Sequence, residues 1–331
     1  MNSSYRKLLN EYEKKRKQKV LEMEDKKNKL YLEIPELACI DSKINKLAIF
    51  SAKSLLEKND SNILNNLKEE ILRLKNYKTN ILLKNNYPET YLTIKYDCDI
   101  CNDTGYTEKN DSSCLCNCFK QKLFNIEYNK SNISNLQNQR FENFISTYYS
   151  ESVDKLKYNS DISPRKNIEF IKKICIEFIK TFDDLESKNL LFTGNTGLGK
   201  TFLSSCIANE LIKNGKTVLY QTAPVMLDTV IDYRFGKCKD PTIYNSLLDV
   251  DLLIIDDLGT ECINNMKFTE LFNIINTRLL NQNNRITKTI ISTNLSLQNL
   301  FNTYDERIVS RLVGNYNICR FFGDDIRFKK K

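Results

Sequence analysis

The run Asn189-Leu-Leu-Phe-Thr193-Gly194-Asn195-Thr196-Gly197-Leu198-Gly199-Lys200-Thr201 decides the fold. Leu190, Leu191 and Phe192 form an apolar run of the length a buried parallel strand has. Gly194, four residues, then Gly199-Lys200-Thr201 have the spacing of a loop that cradles phosphate. Glycines permit torsions that a Cβ forbids, so successive N–H groups can turn inward around an anion. Lys200 then supplies a point charge between the β- and γ-phosphates, and the Thr201 hydroxyl ligates Mg²⁺. Phe202, Leu203, Ile207, Ala208 and Leu211 follow with helical spacing, which sets the phosphates on a helix N-terminus.

C-terminal to this run, apolar strand-like segments keep alternating with helical patterns. Thr217–Gln221 follows Gly215, a helix C-cap. Leu252-Leu-Ile-Ile255-Asp256-Asp257 ends in two carboxylates, and Lys288–Thr293 ends at Asn294. Asn317–Phe322 is a last strand. Such alternation predicts an α/β fold, a parallel sheet wrapped by helices. Ligands bind at the carboxyl ends of strands in these sheets, and the loop glycines, Asp256, Asp257 and Asn294 all fall there. Asp256 is expected to hold Mg²⁺ through its water shell, opposite Thr201. Asp257 or Glu261 would orient an attacking water, and Asn294 would bond that water or the γ-phosphate. Asp305-Glu306-Arg307-Ile-Val-Ser-Arg311 sets two arginines on one helical face. They suit either a γ-phosphate of developing charge or a surface salt-bridge helix. An arginine given by a neighbouring subunit can raise a rate by about 10³ to 10⁵. Arg327 is a further phosphate contact.

Residues 1–92 read as helical and charged, with no glycine. Between 6 and 30 stand ten Lys/Arg and five Asp/Glu. Pro35 divides this segment from the next. Leu37, Ile40, Ile44 and Leu47, then Leu64, Leu67, Ile71, Leu74 and Ile81, make narrow apolar seams. They fit a helical hairpin packed on itself or one laid on a partner. Residues 93–125 hold Cys98-Asp-Ile-Cys101 and Cys114-Leu-Cys116-Asn-Cys118, which is metal-site spacing. Zinc takes four thiolates, and the chain has no histidine. Cys98, Cys101, Cys116 and Cys118 are the favoured ligands, with Cys114 spare. Four cysteines leave no open position, so the metal would be structural. Residues 126–165 are polar with aromatics at Phe141, Phe144, Tyr148 and Tyr149, a linker running into the large domain at 166–331.

Composition sets outer bounds. The chain has 331 residues, 41% hydrophobic and 28% charged, with a net charge of +8. That charge fits a polyanion partner or a lysine-rich solvated surface equally well. The first residues lack the apolar core of a signal peptide, and no apolar stretch reaches membrane length, so a cytoplasmic location and no membrane partner are expected. Eleven cysteines in an unexported chain argue against a disulfide framework.

The loop Gly-Asn-Thr-Gly-Leu-Gly-Lys-Thr, the run Ile-Ile-Asp-Asp-Leu-Gly-Thr-Glu, the Ser-Thr-Asn and the Glu-Arg-Ile-Val-Ser-Arg-Leu resemble the AAA+ replicative helicase loaders of the DnaC/DnaI type. The cysteine module with Asp-Thr-Gly-Tyr is similar to the zinc region of Gram-positive members. The resemblance covers about 95–331. It implies a three-layer P-loop AAA+ core with little or no lid. It also implies Walker A at 194–201, Walker B at 252–257, sensor I at Asn294, an arginine finger at Arg311 with Arg307 nearby, and sensor II at Arg327. Asp257 stands where many related ATPases carry glutamate, which implies action through a water or slow hydrolysis. The implied function is an ATP-dependent loader, a slow ATPase stimulated by partner or DNA. It would bind the replicative hexameric DNA helicase through its N-terminal region, contact single-stranded DNA and form a homo-oligomer when ATP-bound. The stretch 224–247, with Arg234, Lys237, Lys239, Tyr233 and Phe235, is the candidate DNA contact; ordinary helix packing is its alternative. Two other readings stand beside the loader. One is a transposition helper ATPase of the IstB type, which shares the Asp-Asp-Leu-Gly-Thr-Glu run. The other is a nucleotide-switched adaptor with little turnover.

Overall fold

A computed structural model describes residues 3–56, 61–109, 112–127, 139–237, 242–262 and 264–329. The chain divides into two compact units, Met1–Cys114 and Leu115–Lys331.

The first unit holds α1 (Ser3–Glu33), α2 (Pro35–Leu56) and α3 (Ser61–Lys84), then a two-stranded sheet of β1 (Tyr106–Lys109) and β2 (Ser112–Leu115), which ends across the division. Pro35 opens α2, where a missing N–H costs nothing. Leu30, Leu37, Ile40, Ile81 and Leu82 form the buried centre of the helices. The apolar seams therefore pack on one another in part, as a hairpin would. Asp41 is buried among them and accepts from Lys78 Nζ at 2.7 Å and from Tyr31. Burial pushes its carboxyl up, but the bonds from Lys78 and Tyr31 outweigh that and leave it below the ordinary range.

The second unit begins with α4 (Asn117–Glu127), a short turn α5 (Lys155–Tyr158) and α6 (Pro164–Lys180). Ser163 caps α6 by accepting from Lys166 N, and Pro164 takes its first position. Then come β3 (Asn189–Thr193), α7 (Lys200–Lys213), β4 (Val218–Thr222), α8 (Ala223–Arg234), α9 (Thr242–Asp249) and β5 (Leu252–Leu258). Next are α10 (Asn265–Asn281), β6 (Lys288–Thr293), α11 (Leu297–Thr303), α12 (Glu306–Asn315) and β7 (Tyr316–Arg320). The five strands run β4-β5-β6-β3-β7, all parallel. The expected three-layer α/β core is what forms. Alternate residues feed opposite layers, as the strand pleat requires. Leu191, Leu253 and Ile255 pack against α8, α10 and α12, while Leu190, Phe192, Leu252 and Ile254 pack against α6 and α7.

Two features of this unit are not announced by any local pattern. First, β4 lies at the edge of the sheet, and α4 covers it. Gln121 Nε2 donates to Val218 O at 3.0 Å while its Oε1 accepts from Val218 N at 2.7 Å. One side-chain amide thus does what a further strand would do at that residue. Asn117 Nδ2 also donates to Gly215 O at 3.0 Å, and Phe124 enters the core. Second, Arg278 of α10 is 1% exposed, and among the described residues no carboxylate is bonded to it. Its guanidinium donates instead to Thr289 Oγ1 at 3.0 Å, Leu247 O at 2.8 Å, Val250 O at 3.1 Å and Lys288 O at 2.7 Å.

Candidate nucleotide site and cysteine cluster

The phosphate loop follows β3 directly and leads into α7, as its sequence predicts. Gly194 and Gly197 have φ of +136° and +72°. A Cβ at Gly194 would stand 2.2 Å from Phe321 O, and one at Gly197 would stand 2.0 Å from Asp325 Oδ1. Gly194 therefore needs glycine on torsion and on space, while Gly197 needs it on torsion, since the Asp325 side chain can move aside. Lys200, the first residue of α7, is buried and donates to Gly194 O at 2.6 Å, Asn195 O at 2.8 Å and Asn294 Oδ1 at 2.8 Å. Burial lowers its ammonium from 10.5 to about 8; Asp257 and Asp256 oppose this, and Arg327 adds to it. Thr201 Oγ1 donates to Asp256 Oδ2 at 3.1 Å. Sequence-distant residues 194–201, 256–257 and 294 thus meet at the carboxyl ends of β3, β5 and β6.

Asp256 is 3% exposed and closely held. Besides Thr201, the hydroxyls of Tyr220 and Ser292 donate to it. The backbone N–H of Asp257 donates to its Oδ1 at 3.2 Å. The β5–β6 register shifts between Ile255 and Leu258, and Asp257 takes φ of +55°, which is uncommon for a side chain bearing a Cβ. The shift turns Asp257 out of the ladder. Asp257 is half-buried, and burial, then Asp256, raises its carboxyl above the ordinary range against the pull of Lys200. Glu261 has a different setting. It is buried, and it accepts from Gly259 N at 2.8 Å and from Tyr304. Of the two candidates for orienting water, Asp257 borders the open cavity and Glu261 does not.

That cavity has a volume of about 390 Å³. Thr196–Phe202, Asp257 and Asn294 form one side of it. The other side comes from residues the sequence assigned to a linker: Phe144, Ile145, Tyr148 and Tyr149, with Gln139 and Asn143. Tyr149 OH donates to Leu198 O at 2.9 Å, and the Phe144 ring lies 6.1 Å from that of Phe202. Arg165 pins the segment by donating to Tyr149 O at 3.1 Å and Thr147 O at 3.2 Å. Four aromatics in a polar stretch were the visible signal; their lack of periodicity hid the wall they build. The chain's end closes the cavity, where Ile326 N donates to Gly197 O at 3.0 Å and Arg327 lines the space. Arg327 Nε is bonded to Asp325 Oδ1 at 3.0 Å.

Two candidate sets sit elsewhere. Arg307 and Arg311 lie on α12, exposed, and neither lines the cavity. Arg307 pairs with Asp305 at 3.0 Å, and Arg311 Nε donates to Asn276 Oδ1 at 3.1 Å. In the stretch 224–247, Arg234 binds both oxygens of Glu270 at 2.9 and 3.1 Å, and Tyr233 stacks on Tyr244 at 5.9 Å. Ordinary packing accounts for those two residues. Lys237 pairs with Asp232, Phe235 is exposed, and Lys239 lies outside the described residues.

Within the stretch 98–118, the sulfurs of Cys98, Cys101, Cys116 and Cys118 lie within 4.8 Å of one another. Tetrahedral thiolates on one zinc stand about 3.8 Å apart, so the set has the size and chemistry to hold a metal ion. Cys114 is not in the group; its thiol donates to Thr107 O at 3.4 Å. Asp103 builds the turn after the first pair, with φ of +56° and a carboxylate that accepts from Asp97 N at 3.1 Å and Cys98 N at 3.0 Å. Lys19 of α1 donates to the same carboxylate at 2.8 Å.

Known proteins resemble this chain over part of its length. The model of the family described as IstB-like ATP binding protein matches residues 149–331. The replicative helicase loader DnaC of Escherichia coli (strain K12) is 28% identical over 141 residues, 42% of this chain and 56% of that protein. The putative insertion sequence ATP-binding protein y4pL of Sinorhizobium fredii (strain NBRC 101917 / NGR234) is 28% identical over 163 residues, 48% of this chain and 62% of that protein. Among solved structures, one titled as the crystal structure of the DnaI matches with a TM-score of 0.44 at 20% identity, over 58% of this chain and 93% of that one. The chain spans little more than half the length of the DnaC it matches. From Tyr149 to its end, more than half of its length, the chain belongs to the family of IstB-like ATP binding proteins.

Proposed function

We propose that the chain is an ATP-controlled loader that binds the replicative hexameric DNA helicase and helps place it on single-stranded DNA, hydrolysing ATP slowly. The observation that carries the reading is the convergence of Lys200, Thr201, Asp257 and Asn294 on one aromatic-walled cavity, with Asp256 bonded to Thr201 behind them. In this reading the loop amides of 194–199 and Lys200 hold the phosphates, and Thr201 and Asp256 hold Mg²⁺, which neutralises phosphate charge when bound. Phe144, Ile145 and Tyr148 flank the base. Asp257 orients water for attack on the γ-phosphate, and Asn294 bonds that water or the phosphate itself. Arg311, with Arg307 beside it, serves a neighbouring subunit's site in an ATP-bound homo-oligomer, where a guanidinium lowers the barrier of phosphoryl transfer. Arg327 leaves Asp325 for the phosphates. The DnaC relatives support the helicase as partner; the y4pL relative favours the second reading, a transposition helper.

The test uses the full chain. It is expected to co-purify with a purified replicative helicase in ATP, and its turnover is expected to rise when single-stranded DNA is added. Capture of a transposase in place of the helicase would reverse the ranking. Tight ATP binding with near-zero turnover, with and without DNA, would make it an adaptor.

The cysteine cluster is proposed to hold structural zinc, contributing roughly 10 kcal/mol to the folding of its stretch. Cys98→Ser is expected to lower bound zinc, measured by elemental analysis, to well under one ion per chain while ATP binding persists. A native protein that purifies without zinc would sink this assignment.

A further inference from the structure

Asp256 is held by groups that no phosphate-loop motif contains. β4 and β5 pair with Tyr220 opposite Ile254 and Thr222 opposite Asp256. Tyr220 is thus one pleat repeat behind the partner of Asp256, on the same face of the sheet. Its ring is 2% exposed and packs in the layer under α6 and α7. From there its hydroxyl donates to Asp256 Oδ2, the same oxygen that accepts from Thr201. Ser292 stands across the β5 bulge, is fully buried, and donates to Oδ1. Each carboxylate oxygen is therefore fixed from a different neighbouring strand.

We propose that Tyr220 is a positioning residue for the metal-side carboxylate: its phenol hydroxyl, with that of Ser292, fixes the rotation of Asp256 so that the carboxylate meets the water shell of a divalent cation beside Thr201. The inference rests on the nucleotide-site reading above and adds to it the groups that set the carboxylate. A carboxylate on a single bond has two free torsions, and each buried donor removes part of that freedom before the cation arrives. Neither hydroxyl reaches the cavity. Their effect must therefore pass through Asp256 and appear in metal dependence more than in contact with the nucleotide. The edge position of β4 matters here, because Tyr220 is only as fixed as its strand, and Gln121 clamps that strand at Val218.

The test measures binding of a fluorescent ATP analogue to the full chain, first in EDTA and then across a Mg²⁺ titration. For Tyr220→Phe, the Mg²⁺ concentration giving half of the metal-dependent gain in affinity is expected to rise about tenfold, the size of a lost hydrogen bond to a charged group. Affinity in EDTA is expected to stay within about twofold on the same grounds. An unchanged Mg²⁺ midpoint overturns the proposal, and so does an equal loss in EDTA, which would mark a packing role. Ser292→Ala is the second variant, expected to shift the midpoint in the same direction; it decides the matter if Tyr220→Phe melts early. Native protein that binds no analogue under either condition defeats the nucleotide-site reading itself, a result distinct from a midpoint that fails to move.

Discussion

Lys200→Ala is expected to weaken ATP binding by about a hundredfold or more, measured by titration of the full chain with labelled nucleotide. Lys200 is the one cation buried within the loop itself, at the first position of α7 and inside hydrogen-bond reach of Gly194 O and Asn195 O. Phosphate oxygens held by amides alone lose its charge-assisted bonds in a half-dry site, where a charge acts more strongly than in water. Unchanged affinity would refute the site. The native protein carries a second signature of the same residue. Burial puts the Lys200 ammonium at about 8. Above that pH the nucleotide-free protein sheds the proton that triphosphate needs, so affinity should fall as pH rises from about 8. Folding stability should move the other way. Between about 8 and the ordinary 10.5, an unfolded chain binds more protons at this lysine than the folded one. Its contribution to stability therefore rises with pH across that window. Lys200→Ala removes both trends.

The second large effect is on folding. Arg278→Ala is expected to destabilise the second unit by about 3 to 5 kcal/mol, read from urea unfolding of the full chain. The guanidinium is wholly buried, and burial lowers it from 12.5 to about 9. Two of its acceptors, Leu247 O and Val250 O, lie at the C-terminal end of α9, where unmet carbonyls carry partial negative charge. Truncation would leave four buried acceptors without this donor and open a cavity besides. Arg278→Met fills the volume and should cost less. If both variants unfold like the native chain, the bonds at Arg278 contribute nothing net.

The sequence made some of this plain and hid the rest for physical reasons. Leu190–Phe192 and Leu252–Ile255 read as strands because a strand buried on both faces must be apolar throughout. The phosphate loop was legible because its glycines and lysine are contiguous and their torsional need is local. The grouping of the four cysteines was legible too, since two tight cysteine pairs flanking one excursion of the chain are the spacing that brings four sulfurs together. What stayed hidden depends on meetings between distant segments. Tyr220 and Ser292 stand 36 residues either side of Asp256, and nothing near either one signals a carboxylate. Gln121 looks like any polar helix residue until the sheet order makes β4 an edge. Arg278 reads as a surface arginine on an amphipathic helix, though it is the largest fully buried side chain among the described residues. That Asp257 borders the cavity while Glu261 does not goes with the β5 bulge, which no composition foretells.

The glutamine that closes off the margin of the sheet also bears on how the protein can be cut. The family match begins at Tyr149, so a fragment from there onward is the natural piece to express. Such a fragment lacks α4 and with it the amide that engages Val218. Its outermost ribbon would then offer bare backbone groups to any passing chain, and fragments would adhere rim to rim. A cut made before Asn117 keeps that rim sheathed.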